Sequence, residues 1–152
     1  MVKFQTMSTS IKTSHHIEMK IPALSDYVGV VRLAVSGIGT RLNFSIEEIE
    51  DLKIAVSEAC TNAVQYAYTK EDVDPSIWIN CYINDTQLKI EIKDTGKGFD
   101  PDNIKPRTND DLIDEDKSNL GLGITFIKSL MDEVEFKSSI GEGTTVTMIK
   151  TL

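Results

Sequence analysis

The sequence predicts an α+β domain, on three observations. A stretch from Ser45 to Tyr68 carries apolar residues at helical spacing. Two runs of period-two alternation, Ile77 to Ile83 and Leu88 to Lys93, flank the turn Asn84-Asp85-Thr86-Gln87. Two further short runs, Val134 to Ser138 and Thr145 to Lys150, flank Gly141-Glu142-Gly143. At 152 residues and 40% hydrophobic content, the chain is long enough for one complete core and too short for two of ordinary size.

In chain order, Met1 to His16 is polar, rich in Ser and Thr and without periodicity, which predicts a mobile tail with His15 and His16 exposed rather than ligating. Ile17 to Ile21 alternates as a half-buried strand does, and Pro22 ends it. From Ser25 to about Ser36, Val28, Val31, Leu33, Ala34 and Val35 cover more than one narrow stripe, so the helix is expected to bury more than one face before Gly37 and Gly39 break it. Tyr27 and Arg32 interrupt that apolar run, reading either as side chains that reach water along an apolar stem or as a partner contact.

The long helix is the centre of the reading. Ile49, Leu52, Val56, Ala59, Ala63 and Ala67 form its core face, and Ser45-x-x-Glu48 is a capping-box signature that marks its start. Glu58 and Asn62 stand one turn apart on one face, beside Ala55, Ala59 and Ala63, and small neighbours leave room for a ligand. A carboxylate there can act as a base or order a water. A carboxamide oxygen can sit on a hard cation such as Mg2+ without adding charge. The spacing alone is equally that of an ordinary exposed helix pair.

The Ile77–Ile83 run reads as a strand covered on both faces, forming a hairpin with the strand that runs into Asp94. Asp94-Thr95-Gly96-Lys97-Gly98-Phe99 therefore puts a carboxylate at a strand end, where it can accept from an exocyclic amine while two glycines allow close backbone approach. Asp100 to Lys117 is dominated by Asp, Asn and Pro, and reads as a long loop or lid. Asn119-Leu120-Gly121-Leu122-Gly123-Ile124 is expected to open a helix that runs on from Ile124 to Met131, with free amides favouring phosphate. Because no strand precedes it, a dinucleotide-binding reading fails.

The net charge of −8 disfavours nucleic acid and anionic membrane. No apolar run approaches the about 18 residues of a membrane span, and the N-terminus lacks the order of a signal peptide. The expectation is a cytoplasmic protein. Cys60 and Cys81 lie on core-facing elements without metal-ligand spacing, as buried free thiols.

Glu58 and Asn62, the two glycine motifs and Gly141-Glu142-Gly143-Thr144-Thr145 occur in the order of the GHKL ATPase family, which the chain resembles from residue 17 onward. Within it, Tyr27–Leu33, Ile49–Val64 and Leu130–Val134 resemble the RsbW family of anti-sigma factor serine kinases. The resemblance implies a two-layer α/β sandwich of the Bergerat type, a mixed, mostly antiparallel sheet covered on one face by helices, with residues 17–152 as an ATP-binding kinase domain. It implies Glu58 as the catalytic carboxylate, Asn62 as Mg2+ ligand, and Asp94 on the adenine amine in a pocket shaped by Gly96 and Gly98. Gly121, Leu122 and Gly123 would hold the phosphates of ATP, Thr144 or Thr145 would support the adenine end, and Arg32 would touch a partner. The implied activity is phosphorylation of a serine on a STAS-domain antagonist, and sequestration of an alternative, sigma-B-like sigma factor by a homodimer. Gly98 is a departure, since many RsbW chains have a degenerate residue there, and it brings the chain closer to the related SpoIIAB sporulation kinases. The competing classes are a non-catalytic, nucleotide-dependent anti-sigma binding module, which intact Glu58 opposes, and a detached histidine-kinase catalytic domain, which lacks its phosphoacceptor helix here.

Overall fold

The serine hydroxyl at position 45 accepts from the Glu48 amide and the Glu48 carboxylate accepts from the Ser45 amide, both at 3.1 Å, so the capping box that marks the central helix is formed as the sequence predicts. The computed structural model describes residues 14–100 and 115–152, with side chains from residue 120 in the second segment. The rest of the expected tail, residues 1–13, and most of the expected lid, residues 101–114, lie outside the described residues.

Strand β1 (His15–Pro22) leads through a 3-10 turn (Ser25–Tyr27) to helix α1 (Val28–Arg41). Helix α2 (Ile46–Asn62) continues into a π-helical turn (Ala63–Ala67). The hairpin β2 (Ser76–Ile83) and β3 (Gln87–Asp94) follows, then helix α3 (Glu115–Leu130) and the hairpin β4 (Glu133–Ser139) and β5 (Gly143–Thr151). The sheet order is β1-β2-β3-β5-β4 and every neighbouring pair is antiparallel, not mixed. The cause is the last hairpin, which folds back so that β5 rather than β4 lies beside β3.

The helices cover one face. Leu52 and Val56 of α2 pack with Ile77 and Ile79 of β2, Leu88 and Ile90 of β3 and Met148 of β5, all inaccessible to water. The alternate residues Trp78, Asn80 and Tyr82 of β2 are half-buried on the opposite, helix-free face, so the expectation that both faces of this strand are covered is not met there. Their cover comes from side chains of the sheet itself: Lys20 lies over Trp78 and Lys89 over Tyr82. His16 stacks on Tyr82 at 4.5 Å between ring centroids, with its Nε2 2.7 Å from Asn80 Oδ1, which carries β1 two residues further back than the alternation of Ile17–Ile21 indicates.

Two helices differ from their sequence signals. α1 runs through Gly37 and Gly39 to Arg41, because Gly39 is where α1 meets α2: a Cβ there would lie 3.0 Å from Ile49 Cγ1. It buries one stripe, Val28, Val31, Val35, Ile38 and Gly39, and leaves Val30 and Leu33 toward water. The expectation of more than one buried face is corrected accordingly. α3 begins at Glu115, well before Asn119. No helix among the described residues is long and apolar enough to cross a membrane.

Both cysteines are buried free thiols, as expected. Burial pushes the Cys60 thiol up to about 12 and the Cys81 thiol up to about 11, so at pH 8 neither forms the thiolate that attacks disulfide reagents. The native protein should therefore stay unreactive toward an aromatic disulfide reagent at pH 8 while both thiols titrate at once in guanidinium. Rapid reaction of either thiol without denaturant would contradict this packing.

Candidate active site

The site is built where the end of α2, the loop after β3 and the β4–β5 turn meet. β3 delivers Asp94 at its last position, and the chain turns at once, with the Gly96 amide donating to Asp94 Oδ1 at 3.0 Å. The Lys97 amide donates to the Ala67 carbonyl at 2.8 Å, and the Gly141 amide donates to the Lys97 carbonyl at 2.6 Å. The Tyr68 hydroxyl closes the same joint, donating to the Ser76 carbonyl at 2.6 Å and accepting from the Thr95 amide at 2.9 Å. The loop is thus fixed from both sides by backbone groups.

These elements line an open cavity of about 540 Å³ beside α2, within the range of small-molecule sites. Asn62, Asp94, Gly98, Phe99, Leu120 and Thr144 are among its lining residues. Asp94 is 6% exposed and is the one charged residue among the described residues that is buried. Burial pushes its carboxyl above the usual range, against the amides of Gly96 and Thr144, which donate to it and favour the ionised form. An ionised carboxylate in a largely apolar pocket is a strong acceptor, suited to an amine on a flat ring.

Glu58 and Asn62 converge at the α2–α3 contact. A Cβ added at Gly123 would lie 3.3 Å from Glu58 Oε2 and 3.4 Å from both Asn62 Oδ1 and Nδ2, so a glycine is what lets α3 approach this pair. Asn62 lines the cavity, and Glu58 stands one turn earlier on the same helix. The structure therefore brings Glu58 and Asn62 together at Gly123, and of these three only Asn62 shares the cavity lining with Asp94, Gly98 and Thr144.

Other expectations are relocated. Gly121, Leu122 and Gly123 lie inside α3 rather than at its start, because the helix already runs from Glu115. Leu122 is 53% exposed, and Leu120 is the residue of this motif that lines the cavity. Gly96 does not line the cavity: a Cβ there would run into the Ala67 carbonyl, so its role is to let the loop dock on the end of α2. Gly98 has φ of +65°, a left-handed conformation that disfavours any side chain. Thr144 lines the cavity. Thr145, its neighbour on an alternating strand, is directed to the other face of the sheet. Arg32 is exposed on α1, away from the cavity.

Residues beyond those expectations also line the cavity. Ile92 and Val146 stand two positions from Asp94 and Thr144, so strand alternation carried the signal for them. Gln65 and Tyr66 are turned toward the cavity by the π-helical turn, for which the sequence has no signal. Gly96→Ala should destabilise the fold by about 1–3 kcal/mol, the usual range for overpacking, because the obstructing atom is backbone. A urea midpoint unchanged from the parent would show that the loop can leave the Ala67 carbonyl freely.

Residues 21–150 match the histidine kinase-like ATPase domain family. The chain is 44% identical over 141 residues to the serine-protein kinase RsbW of Bacillus subtilis strain 168, covering 90% of this chain and 86% of that protein. It is 43% identical over 150 residues to the RsbW of Bacillus velezensis, covering 96% and 89%. Among solved structures, the RsbU and RsbW domains of a Mycobacterium tuberculosis protein share the fold at a TM-score of 0.65 with 18% identity, over 90% of this chain and 32% of that one. The histidine kinase domain of a blue-light activated kinase from Erythrobacter litoralis shares it at 0.57 with 22% identity, over 87% and 62%. With its carboxylate and carboxamide paired on α2 beside this cavity, the chain belongs to the histidine kinase-like ATPase domain family and, within it, to the RsbW serine-protein kinases.

Proposed function

We propose that this protein-serine kinase transfers the terminal phosphoryl group of ATP to a serine of a STAS-domain antagonist, and sequesters an alternative, sigma-B-like sigma factor in the cytoplasm while the antagonist is phosphorylated. The observation that carries this reading is the convergence of Glu58 and Asn62 at Gly123, with Asn62 lining the same cavity as the buried Asp94. The kinase domain is taken as residues 17–152.

On this reading the adenine amine donates to Asp94 and the triphosphate runs past Asn62. Among the described residues no cluster of three acidic, His or Cys side chains could hold a metal alone. That donor set still fits Mg2+, which takes one or two protein oxygens and completes its shell with phosphates and water, and the Asn62 carboxamide supplies one such oxygen. Bound there, Mg2+ would neutralise charge on the phosphates. Glu58 orients the incoming serine hydroxyl and accepts its proton, a contribution of about a hundred- to ten-thousandfold in rate. Phosphate contact at Gly121 and Gly123 needs free amides, whereas an interior helical amide is bonded to the carbonyl four residues before it. Nucleotide binding would therefore unwind the first turns of α3.

The partner surface is assigned to α1 and the turn before it, where Leu24, Tyr27, Val30 and Leu33 are exposed, Leu33 at 75%, around the cation of Arg32. A homodimer is part of the proposal.

Glu58→Ala should leave ATP affinity within about threefold of the parent while transfer to the antagonist falls at least about a hundredfold. Turnover equal to the parent would remove Glu58 from the chemistry. Arg32→Glu should weaken sigma-factor binding by about 1–3 kcal/mol and spare ATP binding. Paired titrations with sigma factor and ATP decide it: unchanged sigma affinity would return Arg32 to the solvated surface, and loss of both would indicate misfolding.

A further inference from the structure

The exposed face of α3 has no role in the proposed function, and its composition sets it apart. Among the described side chains of this helix, Leu122, Thr125, Phe126, Lys128 and Ser129 are exposed, Leu122 at 53% and Phe126 at 43%. Leu122 and Phe126 stand one turn apart, and neither lines the cavity. The Thr125 hydroxyl donates to the Gly121 carbonyl at 3.0 Å and the Ser129 hydroxyl to the Phe126 carbonyl at 2.6 Å, so both are turned back onto the helix. Lys128 is the one cation, and its ammonium lies over the Phe136 ring, 5.9 Å from the centroid. In a chain with 26% charged residues, this leaves an uncharged face built on two large apolar side chains.

The direction of that face follows from Gly123. A Cβ there would lie 3.3 Å from Glu58 Oε2, so position 123 faces the carboxylate. Successive residues of a helix turn by about 100°, which places Phe126 about 60° and Leu122 about 100° round the axis from Gly123, both in the same sense. Ser129 and Thr125 follow in that sense, at about 120° and about 160°. Leu120 and Ile127 lie about 60° and about 40° away in the opposite sense, and both are buried. On α3, the surface beside Glu58 that a molecule from solution can reach is therefore the one that carries Phe126 and Leu122.

We infer that Phe126 and Leu122 form the docking patch for the protein that brings the acceptor serine. The inference rests on the proposed function, in which a serine hydroxyl arrives at Glu58, so that the body carrying it meets this flank of α3. The patch also fixes the chemistry of its partner: the acceptor serine stands beside uncharged, apolar side chains that pack on Phe126 and Leu122. Because the sigma-factor surface is assigned to α1, this patch is not one of its contacts.

The test is steady-state transfer from ATP to the STAS-domain antagonist by the full chain, alongside titrations with ATP and with sigma factor. Phe126→Ser should raise the KM for the antagonist at least about tenfold and leave kcat and both Kd values within about twofold. Phe126→Leu, which keeps an apolar side chain, should hold KM within about threefold of the parent. Ser129→Glu puts a charge on the same face at an exposed position, should raise KM at least about threefold, and decides alone if Phe126→Ser does not fold. Loss of kcat or of ATP affinity along with KM in both Phe126→Ser and Ser129→Glu would reduce the face to a structural part of the helix and overturn the docking role. An unchanged KM would overturn it too, whether or not sigma-factor affinity falls. If the parent transfers no phosphoryl group to serine, the proposed function falls and the docking role with it. Transfer by the parent with KM unmoved in the variants removes the docking role alone.

Discussion

The bond from the Lys97 amide to the Ala67 carbonyl is the constraint on which the site depends. It joins the end of α2 to the loop that leaves β3, and those two elements carry Asn62 and Asp94. The bond forms because position 96 has no side chain to hold the strands of backbone apart. It is reinforced by Tyr68, whose single hydroxyl serves Ser76 and Thr95 at once. A carbonyl at the end of a helix is an unsatisfied group by default, and here it is satisfied by the loop it positions. Stability of the joint and shape of the cavity are thus one property.

Asp94 shows what that joint sustains. A carboxylate removed from water is unfavourable, and the raised pKa is the sign of it. Two amides, from Gly96 and Thr144, compensate in part, and each belongs to a different wall of the cavity. The loop after β3 and the start of β5 thus both face this carboxylate. Ile92, Phe136 and Val146 supply apolar lining in the same cavity.

What could be read in the sequence was whatever rests on local pattern. The capping box at Ser45 and Glu48, the alternation of β2 and β3, and the carboxylate at the end of β3 all depend on neighbours a few residues away, and the structure has them. What could not be read depends on contacts across the chain. α1 continues through two glycines because Ile49 of another helix requires the space at Gly39, and the π-helical turn at Ala63–Ala67 lies against a loop from a distant part of the chain. Leu33 belongs to an apolar run that looks buried in sequence. Only the position of α2 decides which side of α1 is inside. Ser138 carries no pattern at all, since its contacts are to Thr144, which strand pairing brings to it, and to Phe99, which arrives on the loop after β3.

The order of strands has a consequence for how the chain comes off the ribosome. β5 is the last strand in chain order, yet it is interior to the sheet, between β3 and β4. Until it emerges, β3 has a bare inner edge, and Asp94 lacks the Thr144 amide that helps to hold its charge. Pairing β3 with β5 closes a loop that includes all of α3, the slow kind of contact that must be made late. A nascent chain stalled before Gly143 thus presents a hydrophobic strand edge to chaperones and neighbouring chains, with the cavity still missing one wall.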